Sequence, residues 1–389
     1  MALRKSSMVG DEQDSGIELL TEVLGGVVNS VEGVQRALSP RLHDTLAASV
    51  YDKVRSGIDT GGAVFGAVVR FVGVAPSAAS LAESGPVQRV AGVANGAFGE
   101  NAASRGGAVP AGMTVRIDHR QVGLDRGSLR AAYPSASERV VVFLHGLIET
   151  ERSWFHRSRP GRARTGTDFG RRLSEDLPCT PVYVRYNTGR RIADNGRELV
   201  GLLEDLVAGW PVPVTEIVLI GHSMGGLVAR SAAYQARGRP WSSKVRRLVC
   251  LGTPHTGAPL ERGVVRMAGL VGRFATMAPL VRLLALRSDG IKDLARGSLL
   301  DEGQANTRPA GTTPPSGIRQ FFVAATLSRS EGSLLARTVG DLLVAPSSAA
   351  DRMQAADFAW LGGLHHFDLL SHDTVYNALL NWLRTGPST

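Results

Sequence analysis

The stretch Glu216-Ile217-Val218-Leu219-Ile220-Gly221-His222-Ser223-Met224-Gly225-Gly226 decides how the chain is read. Glu216 to Ile220 is an apolar run of strand length, and a helical pattern follows from Gly226 to Arg237. Between them, Gly221 to Gly225 fit G-x-S-x-G, the pattern that sets a serine on a sharp strand-to-helix turn. So tight a turn needs neighbours without a Cβ at the flanking positions. The helix behind it aims its first amides and its positive dipole end at the serine.

Outward from this stretch, strands and helices alternate. Strands are expected at Thr114–Asp118, Arg139–Leu144, Pro181–Tyr186, Arg247–Leu251 and Gln320–Ala324. Helices are expected at Asp168–Leu177, Asp194–Ala208 and Asp373–Leu383, the last with Ser371 as N-cap. Arg139–Leu144 is apolar throughout, as in a strand covered on both faces. The alternation predicts an α/β fold, a mostly parallel central sheet with helices on both faces, over residues 111–389. Residues 1–110 differ. They are rich in small residues and carry helix-period apolar positions around 17–28 and 42–74, which predicts an N-terminal helical extension. Residues 258–317, with apolar stretches at 264–271 and 277–286, form a long insertion expected to be a helical cap or lid.

A serine hydroxyl becomes a nucleophile only when a base takes its proton, and the partners in this arrangement follow in the order Ser, acid, His. Ser223 is the expected nucleophile. His255 comes too soon for an acid to precede it. His366, in Gly362-Gly363-Leu364-His365-His366-Phe367, is the expected base, with its neighbour His365 as the alternative. Asp341, Asp351 and Asp357 are the candidates for the acid that fixes the histidine tautomer. Asp341, on a Gly-preceded turn, is preferred, and the other two read more simply as solvated caps. The oxyanion needs two amides: Met224, next to the nucleophile, and Leu147, in the glycine-bearing loop His145-Gly146-Leu147 after a strand. His145 itself is expected to order that loop. No cofactor or metal is needed or expected.

Several stretches together resemble the lipase-like branch of the α/β-hydrolase superfamily, which includes the PGAP1-like esterases. They are Phe143-Leu144-His145-Gly146-Leu147, Tyr186-Asn187-Thr188-Gly189, Gly221 to Gly226 and Leu251-Gly252-Thr253-Pro254-His255-Thr256-Gly257, with Gly340 to Ser348 and His366-Phe367-Asp368-Leu369-Leu370. The resemblance spans about 114–385 and implies the α/β-hydrolase fold, with Asp341 as acid and His366 as base. The loop at Asp341 departs from the more usual Gly-Asp-Gly by carrying Leu342. The resemblance implies a serine esterase acting on a small-molecule or lipid ester. An acyltransferase or thioesterase would use the same residues. A reading from another class makes the chain an interaction protein, docked on a membrane, lipid granule or partner through its N-terminal helices or cap.

Composition narrows the field. The net charge is +9, but only four of 44 basic residues are lysines, and no Arg/Lys block with interleaved aromatics occurs. A nucleic-acid partner is therefore not expected. The N-terminus has no apolar stretch of signal type behind its charges, and the stretch 61–76 is too short to span a bilayer. Two cysteines make no disulfide framework, and Cys250 lies in an apolar run. Together these point to a cytoplasmic protein.

Overall fold

The computed structural model describes residues 112–147, 149–155, 168–255, 257, 289–300, 317–326, 357–364 and 366–384. The expected helices around 17–28 and 42–74, the apolar stretches at 264–271 and 277–286, and Asp341, Asp351 and His365 lie outside these residues.

Eight strands form one sheet: β1 (Thr114–Ile117), β2 (Arg120–Val122), β3 (Arg139–Leu144), β4 (Thr180–Arg185), β5 (Glu216–His222), β6 (Val245–Leu251), β7 (Arg319–Thr326) and β8 (Asp357–Gly362). Their order is β2-β1-β4-β3-β5-β6-β7-β8. From β4 to β8 every pairing is parallel, whereas β1 runs antiparallel to both β2 and β4. The β1–β2 hairpin turns through Asp118 and His119, both at positive φ, as a two-residue turn matched to strand twist requires.

The side-chain period of two sorts each inner strand between two cores. Val140, Val142 and Leu144 of β3, with Ile217 and Leu219 of β5, meet one helical layer. Val141, Phe143, Val218 and Ile220 meet the other. The first layer comprises α1 (Arg126–Ala132), α3 (Ile192–Gly209) and α4 (Met224–Gln235), and the second α2 (Phe169–Asp176) and α6 (Asp373–Arg384). Covered on both faces, β5 is buried at every residue. Cys250 is fully buried in the first core. The α6 helix begins at Asp373 as expected, but the residue before it is His372, whose ring Nδ1 accepts the Thr374 N–H at 3.2 Å where Ser371 is expected to cap.

One described part of 258–317 is α5 (Asp289–Arg296), which is fastened to the body. Asp293 accepts the Ile192 N–H at 3.0 Å, Gly290 N–H donates to Gly189 at 3.0 Å, and Ser231 donates to the Leu299 carbonyl at 2.6 Å. Among the described residues no helix is long and apolar enough to cross a membrane.

The chain passes from β3 outward to β4, then returns to the far side of β3 for β5. The strand order therefore reverses between β3 and β5, the point of an open α/β sheet where ligands bind at the C-terminal strand ends.

Candidate active site

Ser223 stands at that point, directly after β5, with φ 51° and ψ −120°. A side chain at positive φ is strained, and persists only where its surroundings dictate it. Here they do. Ser223 N–H donates to the Leu251 carbonyl at 2.8 Å, and Gly226 N–H donates to the Ser223 carbonyl at 3.1 Å. A Cβ on Gly221 would overlap the backbone of Gly225 and Gly226. One on Gly225 would overlap the Leu144 carbonyl oxygen and come within 2.6 Å of that of His145.

Gly225 thus lets the serine turn press against the end of β3. Gly225→Ala is expected to displace the β3 loop and lower activity by roughly 100-fold, the usual result of about 1 Å of misplacement. A drop in unfolding midpoint should accompany it, because backbone atoms cannot swing aside. Gly201→Ala, inside α3 with nothing near its Cβ, should instead raise stability by up to about 1 kcal/mol. Thermal melts and initial rates of both variants check the contrast.

Leu144 and Gly221 are register partners, so the loop after β3 and the serine turn start level. The N–H of Gly146 is taken by Glu149 Oε2 at 2.7 Å. Leu147, the next residue of the loop, is buried at 8 % exposure. Met224 is the first residue of α4, where N–H groups have no intrahelical acceptor.

His145 orders this loop. Its ring stacks on Tyr186 at 4.3 Å, its Nδ1–H donates to the Gly146 carbonyl at 3.0 Å, and Tyr186 O–H donates to the His145 carbonyl at 2.6 Å. Complete burial lowers its pKa from 6.5 to about 4. His255, passed over as base, is also a core residue. Its ring packs edge-on against Phe322 at 4.5 Å and accepts from Arg230 at 2.7 Å, and burial holds its pKa well below 6.5. Both rings are neutral when folded and gain a proton on unfolding in acid. The unfolded state binds more protons between pH 6.5 and 4, so stability present above 6.5 is lost as pH falls. For His145 alone the loss reaches on the order of 3 kcal/mol at pH 4. Unfolding midpoints should therefore fall between pH 7 and 5, before the carboxylates titrate; a flat profile there would contradict this picture.

His366 opens a short 3₁₀ turn, His366–Leu370, after β8. It is 2 % exposed, and its ring lies over the end of β6, where a Cβ on Gly252 would meet ring atoms at 3.1 and 3.2 Å. Gly252 follows Leu251, the residue that holds the Ser223 amide. Ser223, Met224, Leu147 and His366 thus gather at the C-terminal ends of β3, β5 and β6.

Asp357 is not among them. It begins β8, with β6 and β7 between it and β5, and pairs with Arg319 at 2.8 Å with both side chains well exposed. It is neither a helix cap nor placed to orient His366. Two residues passed over as site members stand beside these: His222, fully buried, and Glu149. The signal available for Glu149 is a carboxylate placed directly after Leu147-Ile148 in the loop that follows β3. Among the described residues no cluster of three or more His, Cys, Asp or Glu could hold a metal ion.

Residues 188–295 match the family described as PGAP1-like alpha/beta domain. No curated protein matches the chain significantly. Among solved structures, a mature lipase from Bacillus licheniformis is 18% identical, with TM-score 0.44, covering 64% of this chain and 93% of that one. Phospholipase PlaB from Legionella pneumophila is 15% identical, with TM-score 0.45, over 64% of this chain and 59% of that one. A thioesterase of prodiginine biosynthesis from Streptomyces coelicolor is 18% identical, with TM-score 0.38, over 64% and 91%. With its parallel β4-to-β8 order, its strained serine turn and its PGAP1-like stretch at 188–295, the chain has the α/β-hydrolase fold.

Proposed function

We propose that the protein is a serine hydrolase of carboxylic esters, acting on a lipid-like ester through an acyl-enzyme. Ser223 Oγ attacks the acyl carbon while His366 takes its proton and returns it to the leaving alcohol. The amides of Leu147 and Met224 hold the oxyanion. Asp341, assigned from the sequence, orients His366. Water then attacks the acyl-enzyme, His366 again moves the proton, and the acid leaves.

The observation that carries this reading is the positive-φ turn of Ser223 beside the buried His366. Strain of that kind clusters at sites of chemistry, and here it sets a hydroxyl at the strand ends. The lipid-like acyl group is supported by the apolar stretches 264–271 and 277–286, which belong to a segment leaving β6 at the edge that carries Ser223. The test is a series of p-nitrophenyl esters from acetyl to palmitoyl, run beside the matching acyl thioesters, with products identified by mass spectrometry. Release of free acid from the esters, favouring the longer acyl chains, is expected. Faster thioester cleavage, or transfer to an added alcohol in place of hydrolysis, would move the assignment to a thioesterase or acyltransferase.

A further inference from the structure

A second polar chain runs behind the serine turn, and the proposed steps leave it without a task. Glu149 Oε2 accepts the Gly146 N–H at 2.7 Å and lies 3.2 Å from the His222 ring Nδ1; the Ser153 Oγ is 3.1 Å away, its one hydroxyl hydrogen shared with the Thr150 carbonyl at 2.8 Å. On the other side of that ring, Nε2 lies 3.2 Å from the His366 carbonyl oxygen. A carbonyl only accepts, so the ring donates through Nε2 in that contact, while Nδ1 faces the carboxylate. Burial pushes the Glu149 carboxyl up, but the charge and hydrogen bond of His222, with the Gly146 N–H, outweigh it and bring it down to about 2.

The ring has little freedom. It is fully buried, lies 4.7 Å from the His366 ring and 6.2 Å from that of Phe367, and has Trp154 edge-on at 6.4 Å. Gly146 closes the arrangement: a Cβ there would come within 3.1 Å of both Glu149 Oε2 and His222 Nδ1. One chain of contacts therefore joins three loops: the oxyanion loop after β3, the serine turn after β5 and the His366 turn after β8. Its two ends are main-chain groups, and each adjoins a group with a chemical task. Gly146 N–H belongs to the peptide before the Leu147 amide, and the His366 carbonyl belongs to the residue that carries the base.

We propose that Glu149 and His222 are positioning residues, which hold the Leu147 amide and the His366 imidazole in register with Ser223. The inference rests on the serine-hydrolase reading above. With the Gly146 N–H committed to the carboxylate, the orientation of the loop backbone is fixed, and Leu147 presents its amide without searching. With its own carbonyl held by His222, His366 cannot drift along the strand ends as its ring gains and loses a proton. Register of this kind acts on the chemical step more than on substrate binding.

Glu149→Gln keeps the side-chain size but removes the charge that draws the Gly146 N–H and the His222 ring to one oxygen. We expect kcat on a short-chain p-nitrophenyl ester to fall roughly 100-fold, with KM changed by less than about threefold. The double variant Glu149→Gln/His222→Gln should lose no more than the worse single variant, because the pair acts as one unit. A merely structural pair would lower the unfolding midpoint but leave kcat of the folded protein near wild type, and that result overturns the proposal. Independent, multiplying losses in the double variant also overturn it. Should Glu149→Gln not fold, His222→Gln, which leaves the carboxylate on Gly146, is judged by the same kcat and KM criterion. Ser223→Ala run alongside separates the two claims. If that variant keeps activity, the serine reading falls; if it is inactive while Glu149→Gln is unimpaired, only the positioning role falls.

Discussion

Ser223→Ala is expected to lower ester hydrolysis by about 10⁶-fold, the scale of losing a nucleophile in serine hydrolases of other folds. The substitution removes only Oγ. The Leu251 carbonyl still holds the backbone amide of residue 223, and Gly221 and Gly225 still clear space on either side. Alanine at φ 51° is strained as serine is, so the unfolding midpoint should move by no more than a few degrees. What remains is the modest catalysis that the oxyanion amides and substrate binding supply alone. Residual activity above about one per cent of wild type would show that another group attacks the ester.

His366→Ala should cost about as much in kcat, since the serine then has no base. His365→Ala should change kcat by less than about tenfold. The contrast follows from position: the His366 ring is buried over the end of β6 beside the serine turn. Some stability should go with it, because the ring packs on His222 at 4.7 Å and on Phe367 at 5.7 Å. Activity per folded molecule, measured after native purification, separates the two losses. The reverse ranking of the two histidines would move the base by one residue.

What could be read from the sequence follows from how each element is buried. β3, β5 and β6 are covered on both faces, and such strands show as continuous apolar runs. The strand predicted at Arg139–Leu144 coincides with β3 at both ends, and the serine turn falls between its strand and helix as the motif requires. Edges were harder. β2 exposes Arg120 and Gln121 and rests on the Asp118–His119 turn, so neither period nor apolarity marked it. β8 is a half-exposed edge strand whose first residue, Asp357, reads as a cap because strand pairing cannot be seen locally. α1 and α5 are short, and their stability comes from packing more than from a helical period. Glu149 was missed for a related reason. Its contacts come from Gly146, Ser153 and His222, and the last reaches it only once β3 and β5 lie side by side.

The most direct measurement is covalent. The purified protein is treated with a fluorophosphonate, and the intact mass and proteolytic peptides are analysed. A single adduct is predicted, on the peptide containing Ser223, formed by the native protein and not by the unfolded chain. An adduct on another residue, or none under conditions where esters are hydrolysed, would contradict Ser223 as the nucleophile.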